Sequence, residues 1–271
     1  MSLSSLTEHQ TESEQQALWR TMVAEARAAA AVEPSMASFF HANVLNHRDF
    51  ASAISFSLAS RLGGQAMPAM SIQSLLQQVL VQQPSLVQQM MDDLLAHYQR
   101  DAACDRYILP LLYFKGYHAI QSYRFGHWLW RQQRQSLARF FQSRIAEVFD
   151  VDIHPAAQLG SGIMLDHATG LVVGETVKIG NDVSMLHGVT LGGSGAGGGV
   201  RHPQIGNGVL ISAGAKLLGH ISIGDGAKIG AGSVVLDNVP AHTTVAGVPA
   251  RPVGRARVAM PSLDMDHSLE E

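Results

Sequence analysis

Residues 204–235 read QIGNGVLISAGAKLLGHISIGDGAKIGAGSVV, and their period decides the fold. An aliphatic residue stands at every sixth position: Ile205, Ile211, Leu217, Ile223, Ile229 and Val235. Glycine follows Ile205, Ile223 and Ile229, as it follows Ile179 upstream. A period of six matches neither the 3.6 of a helical stripe nor the 2 of an alternating strand. It suits a solenoid of short parallel strands in which each aliphatic side chain stacks inside the coil. The same register runs back through Leu191, Met185, Ile179 and Val173, and then through Leu165, Leu159 and Ile153. Two breaks interrupt it.

Eight residues separate Leu165 from Val173, so two extra residues enter around His167–Gly170. Fourteen separate Leu191 from Ile205. That gap reads as one hexad plus an eight-residue loop, because Gly192–Pro203 (GGSGAGGGVRHP) keeps no aliphatic register. Repeat proteins carry insertions on their working face. These two carry Asp166-His167 and Arg201-His202, so chemistry sits where the periodicity fails. The hexads imply a triangular prism of roughly eighteen residues per coil. Hexapeptide periodicity is the signature of the left-handed parallel β-helix, an exception to the right-handed crossover rule.

Residues 1 to about 15 are polar and expected to fray. From Ser13 to Phe149 the sequence is rich in Ala, Leu and Gln, and Pro34, Gly63-Gly64, Pro68, Pro84 and Pro110 punctuate it. Helices are expected at about 14–31, 35–46, 49–62, 71–80, 84–99 and 111–147, the last broken near Gly116 or Gly126. The aromatic stripe from Leu111 to Trp130 reads as interhelical packing, with His118 and His127 as structural groups. The expected fold class is therefore α+β. An all-α domain covers 1–148, a β-helix covers 149–252, and a flexible tail covers 253–271.

With 271 residues, 46% of them hydrophobic, the chain can bury two domain cores. A net charge of −3 gives no reason to expect nucleic-acid or membrane-surface binding. The lone Cys104 excludes an internal disulfide and suits a reducing compartment. No stretch reads as a leader or a membrane span, so the expected localisation is cytoplasmic.

Five segments carry a more specific resemblance: Val151–Pro155 (VDIHP), Gly162–Glu175 (GIMLDHATGLVVGE), Leu191-Gly192-Gly193, Arg201-His202-Pro203 and Ala246–Arg251 (AGVPAR). They resemble serine O-acetyltransferase, a hexapeptide-repeat acyltransferase. Arg100-Asp101 and Pro110–Gly116 (PLLYFKG) are similar to the helical half of its long bacterial form. The resemblance spans nearly the whole chain. It implies acetyl transfer from acetyl-CoA to the L-serine hydroxyl, the first step of cysteine biosynthesis, in a homotrimer or a dimer of trimers.

Transfer to an alcohol needs a base, and an imidazole with an ordinary pKa near 6.5 suits it. His167 at the first break is the expected base. Asp152 lies fifteen residues upstream, nearly one coil of about eighteen residues earlier, where stacking would bring it close, and the resemblance likewise makes it the orienting carboxylate. Arg201 offers a fork for the serine carboxylate, with His202 assisting across a subunit boundary. Asp166 and, by resemblance, Asp101 supply charge for the ammonium and hydroxyl. Gly192, Gly193, Ala213, Gly214 and Ala231 allow close approach of pantetheine, and Lys228 is the leading phosphate cation, ahead of Lys216 and Arg251. A backbone N–H near Gly192–Gly193 would serve the oxyanion. No G-x-S-x-G elbow appears, so direct attack on the thioester is expected, with no metal.

The rival enzyme on the same prism is a carbonic anhydrase-type metal enzyme using histidines among His154, His167, His187, His202 and His220, though these lie thirteen or more residues apart. Other acyltransferases of this prism take sugar or amine acceptors. A further alternative is a module that chiefly holds or regulates a partner. The resemblance also implies feedback inhibition by L-cysteine, and a tail ending in isoleucine that docks into O-acetylserine sulfhydrylase. Here the sequence ends Leu269-Glu270-Glu271, and Val200 stands before Arg201 where the family carries an acid. Both departures bear on regulation.

Overall fold

The computed structural model describes residues 3–195 and 198–269, with side chains from residue 14 onward. Among the described residues eight α-helices precede the prism: α1 (Leu3–Val32), α2 (Ala37–Phe40), α3 (Phe50–Leu62), α4 (Ala69–Gln82), α5 (Ser85–Arg100), α6 (Ile108–Tyr113), α7 (Lys115–Arg131) and α8 (Gln135–Phe149). A π-helical turn, His41–Leu45, continues α2. Helix α1 starts eleven residues before the expected onset, because no glycine or proline interrupts Leu3–Val32. Helix α3 starts on a capping box: the Asp49 carboxylate accepts the Ser52 N–H at 2.8 Å.

The expected long helix 111–147 is divided twice. Phe114 turns extended between α6 and α7, and Gln133 adopts φ 59° between α7 and α8. Gly126 does not break α7. It lies inside the helix, where an added methyl would meet Phe141 of α8 at an ordinary 3.7 Å. Tyr117 and Tyr123 are buried, and His118 bonds the Leu111 carbonyl at 2.7 Å, so the aromatic stripe is packing. Burial and the nearby Arg61 push the His118 imidazole down to about 3.

The second half is a parallel-strand solenoid of about five turns. Its first face holds Val151–Ile153, Leu171–Val173, Thr190–Gly192, Lys216–Leu218 and Val234–Val235. The second holds Gln158–Leu159, Lys178–Ile179, Gln204–Ile205 and Ser222–Ile223. The third holds Met164–Leu165, Ser184–Met185, Leu210–Ile211, Lys228–Ile229 and Thr243–Gly247, with Ala250–Arg255 added antiparallel. The aliphatic register pairs as expected, with Val173 on Leu191, Ile179 on Ile205 and Met185 on Ile211. Leu191 and Ile205 fall on consecutive faces, so the second break is one hexad plus an eight-residue loop. The aliphatic-glycine signature maps largely to the second–third corner. A methyl on Gly180 there would come within 2.8 Å of the Gly206 backbone.

The two domains share a buried joint. Asp93 of α5 pairs with Arg124 of α7 at 2.7 Å and accepts the Ile163 N–H of the prism at 2.8 Å. Arg124 also donates to the Gly160 carbonyl at 2.8 Å. After the last strand, α9 (Pro261–Asp264) lies against α5 with Ser262 buried, so the segment read as a loose tail is pinned here. No helix among the described residues is long and apolar enough to cross a membrane.

Candidate active site

Asp166 to Gly170 form the third–first corner of the first coil. The two extra residues force His167 and Ala168 into the left-handed region, at φ 55° and 58°. Such conformations are strained for residues with a Cβ and cluster at functional sites. Short turn bonds, Ala168 N to Asp166 O at 2.6 Å and Thr169 N to His167 O at 2.8 Å, hold the bend. The bend pushes His167 outward, leaving its side chain 74% exposed. Its Nε2 stands 3.7 Å from Asp166 Oδ1, and its ring meets His187 edge-on at 6.0 Å.

The helical half closes the other side. Asp101 follows the last residue of α5, and Gly116 opens α7 against the prism. A methyl on Gly116 would lie 2.0 Å from the Leu165 carbonyl oxygen, so only glycine lets the helix sit this close. A cavity of about 410 Å³ results, lined by Asp101, Asp166, His167, His97, Lys115 and Tyr113 among others. Three of the expected site residues, His167, Asp166 and Asp101, therefore converge. Asp101 does not form an ion pair with Arg100; its carboxylate accepts the Ala103 N–H at 2.8 Å.

Asp152, Arg201 and His202 lie elsewhere, toward the first–second corner. Arg201 pairs with Glu175 at 2.5 Å, and that bond holds the Glu175 carboxyl below its ordinary range. Thr176 donates its N–H to His202 Nδ1 at 3.3 Å, and its hydroxyl bonds the same nitrogen at 2.8 Å. The ring proton of neutral His202 is thereby placed on Nε2. Burial, with Arg201 adding to it, makes that imidazole harder to protonate. Gly174 and Gly193 press on the same ring.

Within one chain Asp152 does not meet His167, which corrects the fifteen-residue stacking argument. The first coil is lengthened by the insertion to twenty residues, so Asp152 stacks on Val172. Its carboxylate accepts from Gln142 at 2.7 Å. The expected donor-binding residues also divide. Ala213, Gly214 and Ala231 continue the corner column of His167 and His187, with Gly214 N bonded to His187 O at 2.9 Å and Gly232 N to Ala213 O at 2.8 Å. Gly192 and Gly193 belong with His202. Lys228, on the third face, is buried beneath the C-terminal segment, its ammonium on the Ser268 carbonyl at 2.6 Å and 3.8 Å from Asp266. Ala196 and Gly197 of the glycine-rich loop lie outside the described residues, as do Glu270 and Glu271.

Comparison with known proteins decides the family. Residues 18–122 match the family described as "Serine acetyltransferase, N-terminal", and 202–237 match "Bacterial transferase hexapeptide (six repeats)". The serine acetyltransferase of Escherichia coli K12 is 54% identical over 92% of this chain and 91% of its own. The chain belongs to the serine acetyltransferase family.

The prism is thus that of an acyltransferase. Solved family members superpose closely. A serine acetyltransferase in complex with cysteine is 50% identical with a TM-score of 0.92, covering 94% of this chain and 99% of that one. The Neisseria gonorrhoeae enzyme in complex with serine is 54% identical, with TM-score 0.85 and coverage of 87% and 97%. The Brucella abortus enzyme with coenzyme A is 48% identical, with TM-score 0.86 and coverage of 88% and 95%. Family membership displaces the carbonic anhydrase reading, and among the described residues no three His, Cys, Asp or Glu side chains converge as a metal site. Sequence reasoning did not single out Glu175, Thr176 or His97. Glu175 and Arg201 are one enlarged coil apart, a relation visible only once the insertion is placed in the coil.

Proposed function

We propose that the chain transfers the acetyl group of acetyl-CoA directly to the hydroxyl of L-serine, giving O-acetyl-L-serine and CoA, with His167 as general base. One observation carries the reading: Asp101, Asp166 and His167 meet in one pocket at the corner where the hexad register fails. His167 takes the serine proton as the oxygen attacks the thioester carbon. Collapse of the tetrahedral adduct breaks the C–S bond, and the imidazolium returns the proton to the CoA sulfur. A positioned base contributes about 10²–10⁴ in rate. The thioester is already activated, so no covalent acyl-enzyme is required. Cys104 agrees with this, since burial pushes its thiol up to about 12.

Asp101 and Asp166 hold the serine ammonium and hydroxyl. The carboxylate needs a cation, and in one chain Arg201 lies across the first face from the pocket. We therefore place Arg201, His202 and Asp152 of a neighbouring copy at the open side, in a homotrimer or a dimer of trimers. Asp152 would then orient His167 from across that boundary, and a Gly192–Gly193 N–H of the same copy would face the oxyanion. The column of Ala213, Gly214 and Ala231 forms the pantetheine groove. Lys228 takes a CoA phosphate once residues 266–268 leave it. The coenzyme A and serine complexes of relatives support both substrates. L-Cysteine differs from serine by sulfur for oxygen, so it fits the same pocket as a feedback inhibitor, in keeping with the cysteine-bound relative. O-Acetylserine sulfhydrylase, reached through the C-terminal segment, and a cytoplasmic setting complete the proposal.

Thiol release from acetyl-CoA, with and without L-serine, tests it. Release is expected to depend on serine and to fall at least about a hundredfold in His167→Ala. Serine-independent release, or a mutant within about threefold of wild type, would remove His167 from the mechanism.

A further inference from the structure

Arg100 ends α5 beside the pocket acid Asp101, yet its side chain turns away into the prism and is only 3% exposed. One terminal nitrogen, Nη1, donates to the Gly162 carbonyl at 2.9 Å and to Ser184 Oγ at 3.2 Å. The other, Nη2, donates to Asp182 Oδ1 at 3.0 Å. These acceptors come from two successive coils at the second–third corner. The C-terminal segment closes the socket: Ser184 Oγ donates to the Ser262 carbonyl at 2.9 Å, and the Ser262 hydroxyl donates to the Asp182 carbonyl at 2.5 Å. Among the described residues Arg100 Nε is buried without a partner, a penalty that an apolar anchor would avoid.

Both arms of the pocket leave from this clamp. On one side the chain runs from Gly162 through Met164–Leu165 into Asp166 and His167. On the other, Asp101 directly follows Arg100, its N–H capping α5 on the His97 carbonyl at 3.0 Å. A bidentate guanidinium fixes distance and angle together, which a point charge does not.

We propose that Arg100 is a positioning residue for the serine site, its guanidinium, seated on Gly162, Asp182 and Ser184, setting the separation between Asp101 and the Asp166–His167 turn. The proposal rests on the reading of that pocket as the serine site. It claims more than domain adhesion, which the Asp93–Arg124 joint already supplies.

The test is steady-state thiol release by the full-length protein, varying serine and acetyl-CoA separately. The variants are R100K, D182N, S184A, D101N and R100K/D101N. R100K is expected to raise the serine KM at least about tenfold while the acetyl-CoA KM stays within about twofold. D182N and S184A should move the serine KM the same way, by less. In the D101N background R100K should add less than about twofold, because both changes act on one contact. An unchanged serine KM in folded R100K would overturn the proposal. So would equal losses for both substrates, or full additivity with D101N. Where R100K yields no folded protein, unchanged serine KM values in both D182N and S184A overturn it. Wild-type protein without serine-dependent release would instead defeat the site reading beneath it.

Discussion

At the scale of single residues, burial in the helical half holds several imidazoles neutral. His118 is the clearest, pushed down to about 3 by burial and Arg61 while it bonds the Leu111 carbonyl. Burial depresses His97 and His127 in the same direction. Each binds a proton more readily unfolded than folded, so its contribution to stability is complete above about pH 6.5 and is lost as pH falls toward the folded value. Urea denaturation at pH 7, 6 and 5 should show stability falling on acidification. His118→Gln should flatten that slope by up to about 1.4 kcal/mol per pH unit; an unchanged slope would mean that folding does not shift the titration of His118. The candidate site residues were legible as types and positions, since His167 and Arg201 mark the two register breaks. Their grouping was not. Asp152 was placed by an eighteen-residue coil, whereas the insertion that creates the site lengthens that coil to twenty and moves Asp152 under Val172.

At the scale of elements, two glycines of α7 separate a functional approach from a mere tolerance. A methyl on Gly116 would collide with the Leu165 carbonyl at 2.0 Å, and backbone on both sides leaves nothing flexible to yield. Gly116→Ala should therefore destabilise by about 1–3 kcal/mol or more, lowering the melting temperature by several degrees. Gly126→Ala meets only ordinary contacts and should gain up to about 1 kcal/mol from helix propensity. Paired thermal melts decide it, and equal shifts would contradict the packing account. The sequence marked both glycines as candidate breaks. The break at Phe114 falls beside Gly116 as expected, whereas the second comes at Gln133 and leaves Gly126 inside the helix. The hexads were far easier to read, since each inward aliphatic residue repeats one environment along the prism.

At the scale of the whole molecule, a single chain holds two half-sites on opposite edges of the first face. On the proposed reading His167, Asp166 and Asp101 form one, and Arg201, His202 and Asp152 form the other. Nothing in the linear order of residues reveals that division, because it depends on which corner each insertion occupies. A ring of copies would bring unlike edges together and close each site at a boundary. This makes mixing of defective subunits the most direct measurement. His167→Ala and Arg201→Ala proteins, each expected to be strongly impaired alone, are co-expressed with separate tags, and doubly tagged oligomers are assayed for serine-dependent thiol release. The account predicts recovery to roughly a quarter to a third of wild-type activity, because a mixed ring of three holds one intact boundary. Mixed oligomers as inactive as either parent would contradict it, placing both residues in a site that one chain completes by itself.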